Sequence, residues 1–352
     1  MKKSKLVAIL AATTVASSLV LVPAATAATK TKACLALDTG GVDDKSFNAA
    51  SWAGATGIAK ANKNVTVSYL PAASGADYAP NIKKFVDQKC NVIIGVGFAI
   101  AGAIISSAKA NPKIKYAIVD DSGLEPNADY TAFTAIPNVK GLTFKTQESS
   151  FLAGYAAAAF STKGVVATYG GAPYPTVTAF MDGFAQGVFY YNQVKKKGVR
   201  VLGWNRDTKN GEFVGDFANT SKALQISKNF EQAGADVIFP VAGGLGGATA
   251  GNSLTSKKSV VIWVDTDGFD AAPQYRKVLL TSVVKGVGTS VGAVIKDQAN
   301  GKFSSTGYNG NLKNAGTFLA PYHDLIRRVP TALRTEVTKL GNDIRNGKVS
   351  AK

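Results

Sequence analysis

The chain has 352 residues, enough for two domains with substantial cores, and 46% of them are hydrophobic. Forty Lys and Arg against 23 Asp and Glu give a net charge of +17, yet only 18% of residues are charged, which excludes an intrinsically disordered chain. Two Cys exclude a disulfide-dense mini-fold and a four-Cys zinc site, and one His argues against a multi-His metal or catalytic site; no metal or cofactor is expected.

The chain opens on a basic segment, Met1-Lys2-Lys3-Ser4-Lys5, followed by an apolar run over 6–22, Pro23 and the small-residue site Ala25-Thr26-Ala27. These are the three parts of a secretory signal peptide, residues 1–27, preferred to a retained anchor because Pro23 and A-x-A break the run. Cys34 follows Thr31-Lys32-Ala33, which is no lipoprotein box. The expectation is an exported protein, in the periplasm or on the exterior of the cell envelope, without a lipid anchor.

From residue 33 onward, short β-branched runs alternate with Ala-rich stretches of helical spacing. Strands are predicted at 33–38, 65–70, 92–97, 116–120, 132–135, 165–169, 200–203, 237–241 and 260–265, with a crossing strand at 141–146. Helices are predicted at 46–62, 79–89, 101–110, 148–160, 177–192 and 219–233. Continuous apolar strands alternating with helices imply right-handed βαβ units and parallel sheets, here an α/β chain with two doubly wound sheets. The second sheet is expected to begin near Gly164.

In open α/β sheets, ligands sit beyond the carboxyl ends of strands. Those ends read Asp38-Thr39-Gly40-Gly41, Gly97-Phe98, Asp120-Asp121, Gly170-Gly171, Ala242-Gly243-Gly244 and Asp265-Thr266-Asp267. Any one such loop is explained by turns and helix caps. Six over two sheets favour a shared ligand cleft. Familiar phosphate loops fail on detail. DTGG at 38–41 leads into a helix, the GxG at 95–97 lacks its third Gly, and GGLGG at 243–247 lacks Gly-Lys-Ser/Thr.

Taken together, DTGGVDDKSFN (38–48), GVGF (95–98), VKGLTFKTQESSFLAGY (139–155), GADVIFPVAGGLGG (234–247), WVDTDG (263–268) and LLTSVVKGVGTSV (279–291) resemble the basic membrane protein (BMP) family. These are extracytoplasmic substrate-binding proteins of ABC transporters, similar to the purine nucleoside receptor type. The resemblance implies the type I periplasmic-binding-protein fold, with two lobes joined by a three-crossover hinge. It also implies a small-molecule ligand (a purine nucleoside), an ABC permease as partner, a monomer and no catalytic residues. Lobe one is expected at 32–146 plus 282–305, lobe two at 147–281 plus 306–330, and a helical tail at 331–352. A sugar or other small metabolite, a nucleoside hydrolase-like enzyme using Asp43-Asp44 or Asp120-Asp121, and a sensor that signals to a receptor are the competing readings.

On this resemblance, Asn48 matches the amide that reaches the base, or is merely a polar residue in a first helical turn. Asp38 and Asp120 are cleft acceptors or helix caps. Asp265 matches a carboxylate on ribose hydroxyls, with Asp267 as the alternative, and two acceptor oxygens suit a vicinal diol. Lys285 matches a ribose-side Lys. Gly243 and Gly244 would present backbone groups, and Phe217 matches a stacking aromatic. Val42 departs from the Phe expected at its position, so Phe98 either supplies the missing ring or joins the core of lobe one.

Cys34 opens the first predicted strand and Cys90 precedes the third. In a 2-1-3-4-5 sheet these strands are neighbours, so an oxidising compartment favours a Cys34–Cys90 disulfide. His323 has no nucleophile at readable spacing and is expected to be structural. The basic residues are scattered, without the stripe and interleaved aromatics of a nucleic-acid reader, so no nucleic-acid partner is expected.

Overall fold

Residues 30–351 are described by the computed structural model; the expected signal peptide lies outside them. In chain order the first part comprises β1 (Thr31–Leu37), α1 (Phe47–Ala61), β2 (Val65–Leu70), α2 (Tyr78–Asp87), β3 (Val92–Val96), α3 (Ala101–Ala110), β4 (Lys115–Val119), β5 (Leu124–Pro126), β6 (Phe133–Ala135), β7 (Val139–Phe144) and α4 (Thr146–Phe160). Next come β8 (Val165–Gly170), α5 (Pro175–Lys195), β9 (Arg200–Leu202), β10 (Trp204–Asn205), β11 (Asn210–Gly211), α6 (Thr220–Gln232), β12 (Val237–Val241), α7 (Gly246–Ser256) and β13 (Val260–Asp265). The last part is α8 (Gly268–Ala271), β14 (Leu279–Lys285), α9 (Val287–Ala299), β15 (Tyr308–Gly310), β16 (Thr317–Leu319) and α10 (Thr331–Arg345).

Two six-stranded sheets form, ordered β15-β7-β4-β3-β1-β2 and β16-β14-β13-β12-β8-β9. All pairings are parallel except β14 with β16. Strands such as VIIGV in β3 and VIFPV in β12 are buried along their whole length because helices cover both faces of each sheet. Helices α4 and α5 pack so closely that a Cβ on Gly154 would overlap the Phe184 carbonyl, and α1 meets α9 in the same way at Gly54 and Gly288. The chain passes between lobes three times, from β7 to α4, from β14 to α9 and from β15 to β16. This is the type I solute-binding architecture.

Three expectations are corrected. The strand expected at 132–135 is β6, which pairs with β5 in an exposed hairpin apart from the main sheet; β7 takes the fifth place instead. The run 279–285, given no strand of its own, is β14, and it lies wholly in the second sheet because nothing interrupts it before Gly286. The crossing therefore falls after Lys285 rather than at 282. Residues 308–310, expected in lobe two, pair with β7 in the first sheet, where Lys145 N donates to Gly310 O (2.7 Å). The tail carries α10, whose Leu333, Val337, Leu340 and Ile344 pack into the second lobe's core.

Cys34 and Cys90 are bonded, with Cα atoms 6.2 Å apart. Cys34 lies within β1 rather than opening it, since β1 begins at Thr31. The bridge closes a span of 56 residues in the first lobe, away from the carboxyl ends of its strands. Replacing both cysteines by Ala is expected to lower unfolding free energy by about 2–4 kcal/mol. Guanidinium titration reads the loss, and two free thiols in non-reducing peptide mapping of the native protein would contradict the bridge.

Candidate functional site

The carboxyl ends of β1, β3 and β4 face those of β8, β12, β13 and β14 across a narrow cleft with a cavity of about 70 Å³, less than the roughly 300–1,000 Å³ of a typical small-molecule site, so the lobes stand close together. Asp38, Asn48, Phe98, Asp120, Phe217, Gly243, Gly244, Asp265 and Lys285 all line it. Residues separated by up to 247 positions (38 to 285) are brought together because parallel sheets point all their carboxyl ends one way.

Asp120 directly follows β4 and Asp265 ends β13, strands in equivalent places of their two sheets. Both adopt left-handed backbone, φ 71° and 67°. That conformation is costly for a non-glycine residue and concentrates at ligand sites. Lys285 Nζ reaches across from the second lobe to Asp120 Oδ2 at 2.5 Å, and the two side chains are 3% and 9% exposed. The same ammonium lies 4.8, 5.4 and 5.5 Å from the ring centres of Phe47, Phe144 and Phe180. Burial pushes the Asp120 carboxyl up, with the Lys285 charge pulling it back.

Asp265 Oδ2 accepts from Ser46 Oγ at 2.9 Å, another contact between lobes. Burial pushes its carboxyl up to about 6, opposed by Lys285 and reinforced by the negative charge of Asp120. Asp38 is also raised by burial, although Tyr78 OH and Thr39 N donate to it. A Cβ on Gly97 would overlap the Asp38 carboxylate, so glycine there makes room for it. Asp44 accepts from the backbone N–H groups of Ser46, Asn48 and Ala49 at 2.8–2.9 Å and thereby caps α1.

That cap orients Asn48. Its Nδ2 donates to Thr39 O at 3.2 Å, while Oδ1 is buried without a partner. An orphan acceptor in a cavity wall is a ready site for a ligand N–H or O–H. Lys45, with φ 54°, turns its carbonyl toward the second lobe, where Thr266 Oγ1 (2.8 Å) and Trp263 Nε1 (3.3 Å) donate to it. Phe98 from lobe one lies 5.8 Å from Tyr174, ring centre to ring centre, and Tyr174 lies 6.2 Å from Phe217.

Several lining residues escaped the sequence reading. Tyr174 is the chief one. It stands four residues beyond Gly170, at a strand exit already marked by paired glycines, and that position was the available signal. Phe47 and Phe180 fall within predicted helices and carry no further mark, and Asp44 entered only as a candidate carboxylate of a hydrolase. Val42 does not line the cavity but packs against the lobe-one core. Asp267, the alternative to Asp265, caps α8 and accepts from Ser282 and His323. His323 stacks on Phe269 (4.1 Å, 11°) well outside the cleft lining.

A family model described as ABC transporter substrate-binding protein PnrA-like (Bmp) matches residues 31–312. The ABC transporter nucleoside-binding protein BmpA of Lactococcus lactis subsp. cremoris is 28% identical over 339 residues, spanning 92% of this chain and 89% of its own length. Basic membrane protein A1 of Borrelia garinii subsp. bavariensis is 28% identical over 323 residues, 90% of this chain and 87% of that one. An ABC transporter solute-binding protein from Aeropyrum pernix K1 superposes with a TM-score of 0.77 at 21% identity, over 91% of this chain and 92% of its own. At that identity the likeness speaks for the fold.

The raised Asp265 carboxyl gives a stability signature in ligand-free protein. The native state holds this proton to about pH 6, whereas an unfolded Asp loses it near pH 3.9. Native protein therefore binds more protons between those values, and stability falls as pH rises through them. Asp265→Asn is expected to match wild type below this window and to melt higher above pH 6. Thermal unfolding across the range tests this; a constant difference at every pH would contradict it.

Proposed function

The chain belongs to the PnrA-like (Bmp) family of ABC transporter substrate-binding proteins, and from that premise we propose that its cleft captures a purine nucleoside outside the cytoplasm and delivers it to a membrane permease. The observation that carries this reading is that one cavity is lined both by aromatic rings and by carboxylates. Phe98, Tyr174 and Phe217 offer ring faces, while Asp38, Asp120 and Asp265 offer buried acceptors. A nucleoside has the matching halves, a flat base and a ribose rich in hydroxyl donors.

A base stacked between two rings needs them about 7 Å apart, two van der Waals spacings. Phe98 and Tyr174 stand closer than that, at 5.8 Å, and they belong to opposite lobes. Opening the hinge separates them; closing it over the base clamps it. Asn48 Oδ1 then accepts from a base N–H, and the two Asp265 oxygens accept from the ribose diol. Closure is the state the permease reads, since it depends on ligand contacts made with both lobes.

Asp44, one candidate base for a nucleoside hydrolase, has both oxygens committed to the first turn of α1, and Asp121 accepts from Gly123 N. Asp43 and Asp121 are not among the residues lining the cleft, and Asp120 there is paired with Lys285. Capture without chemistry is the better fit.

Titration calorimetry with purine nucleosides, pyrimidine nucleosides, free bases and sugars tests the assignment. Purine nucleosides are expected to bind tightest. Asp265→Ala should weaken them by about tenfold or more, the scale of a lost charge-assisted hydrogen bond, and leave free bases nearly unchanged. Equal losses for both classes, tighter binding of a sugar, or turnover of the nucleoside would refute this reading.

A further inference from the structure

The first sheet carries a second organised feature at the end opposite the cleft. Across it, in the order β2, β1, β3, β4, each strand is preceded by an exposed lysine: Lys63, Lys30, Lys89 and Lys113. Adjacent strands are spaced about 4.8 Å apart, so the four form a row about 14 Å long. Among the described residues, none of the four has a carboxylate within ion-pair distance. Asp87, on the last turn of α2, is taken by Lys83 at 2.7 Å.

The matching edge of the second sheet is different. There Asp236 precedes β12, between cations on neighbouring strands, and its carboxylate accepts from Ser161, Thr162 and Lys163. The lobe-one row is uninterrupted. It is also the edge at which β1 begins.

We propose that this edge of lobe one docks on an anionic phospholipid surface, its lysine ammonium groups lying against headgroup phosphates. Lysines act as separate point charges, which suits a surface of mobile headgroups; the row has no arginine fork and no interleaved aromatic to read a nucleic acid. Because the row is at the amino ends of the strands, the cleft at their carboxyl ends stays open to solvent while the body is held at the membrane. The attraction is electrostatic and weakens with salt.

Cosedimentation of the exported chain, residues 28–352, with vesicles of phosphatidylcholine, alone or with phosphatidylglycerol added, is the test. The wild type is expected to partition about tenfold or more better onto the anionic vesicles, the scale of several juxtamembrane lysines, and to release as salt rises. The triple variant Lys63→Glu, Lys89→Glu, Lys113→Glu should lose that preference. A control with equal charge change on the other lobe, Lys163→Glu, Lys257→Glu, Lys258→Glu, should keep most of it. Ligand affinity and melting temperature should be unchanged in both; if reversal unfolds the row variant, the Lys→Gln series replaces it with the same expected order. Equal losses in the two variants would mean that net charge alone acts. Equal binding to both vesicle types, stronger competition by duplex DNA than by phospholipid, or a melting loss accounting for the whole effect would likewise overturn the proposal. The last outcome would confine these lysines to neutralising the nearby helix C-termini.

Discussion

Lys285 and Asp120 join the two lobes through an ion pair on the cleft wall, and much of the site is arranged around that contact. Burying two charges costs several kcal/mol per ion unless geometry and surroundings compensate. Here the ammonium meets the carboxylate at 2.5 Å and lies near the faces of Phe47, Phe144 and Phe180, which come from both lobes. Phe47 is in turn held by α1, whose first turn is capped by Asp44. Cap, helix, ring and ion pair form one mechanical chain.

The two lobes repeat one plan. Each sheet runs 2-1-3-4-5 and sends the ends of its first, third and fourth strands toward the cleft. Asp120 and Asp265 occupy the same place in that plan and share the left-handed conformation. One is paired with Lys285; the other accepts from the hydroxyl of Ser46 and is pushed up to about 6 by burial. Pseudo-symmetry thus supplies two similar carboxylates and the crossover at Lys285 distinguishes them. The unpaired one is the better placed to accept from a ligand.

Charge follows the same geometry. A chain with net charge +17 presents a cleft lined by Asp38, Asp44, Asp120 and Asp265 with one lysine. Within the first lobe a row of lysines lies where strands begin, and the cleft carboxylates lie where strands end or helices start, so the parallel sheet separates these two groups along its own axis. An acidic cleft and basic far edges can then serve different partners without interference.

Much of the architecture was legible in the chain alone. Strands such as 92–96, 237–241 and 260–265 are marked by nearly continuous apolar runs, which a doubly covered sheet buries. Strand-exit glycines and aspartates pointed to a cleft, and the neighbouring places of strands one and three pointed to the Cys34–Cys90 bridge. Local pattern could not separate Phe180 and Phe47 from core residues, because a ring against a cavity and a ring against a neighbour leave the same trace in sequence. Nor could it place Tyr174 opposite Phe98, give β14 to one sheet and β15 to the other, or align Lys63, Lys30, Lys89 and Lys113. Those facts depend on which strands become neighbours and where the chain crosses between lobes. Periodicity determines what a segment is; long-range pairing decides what it faces.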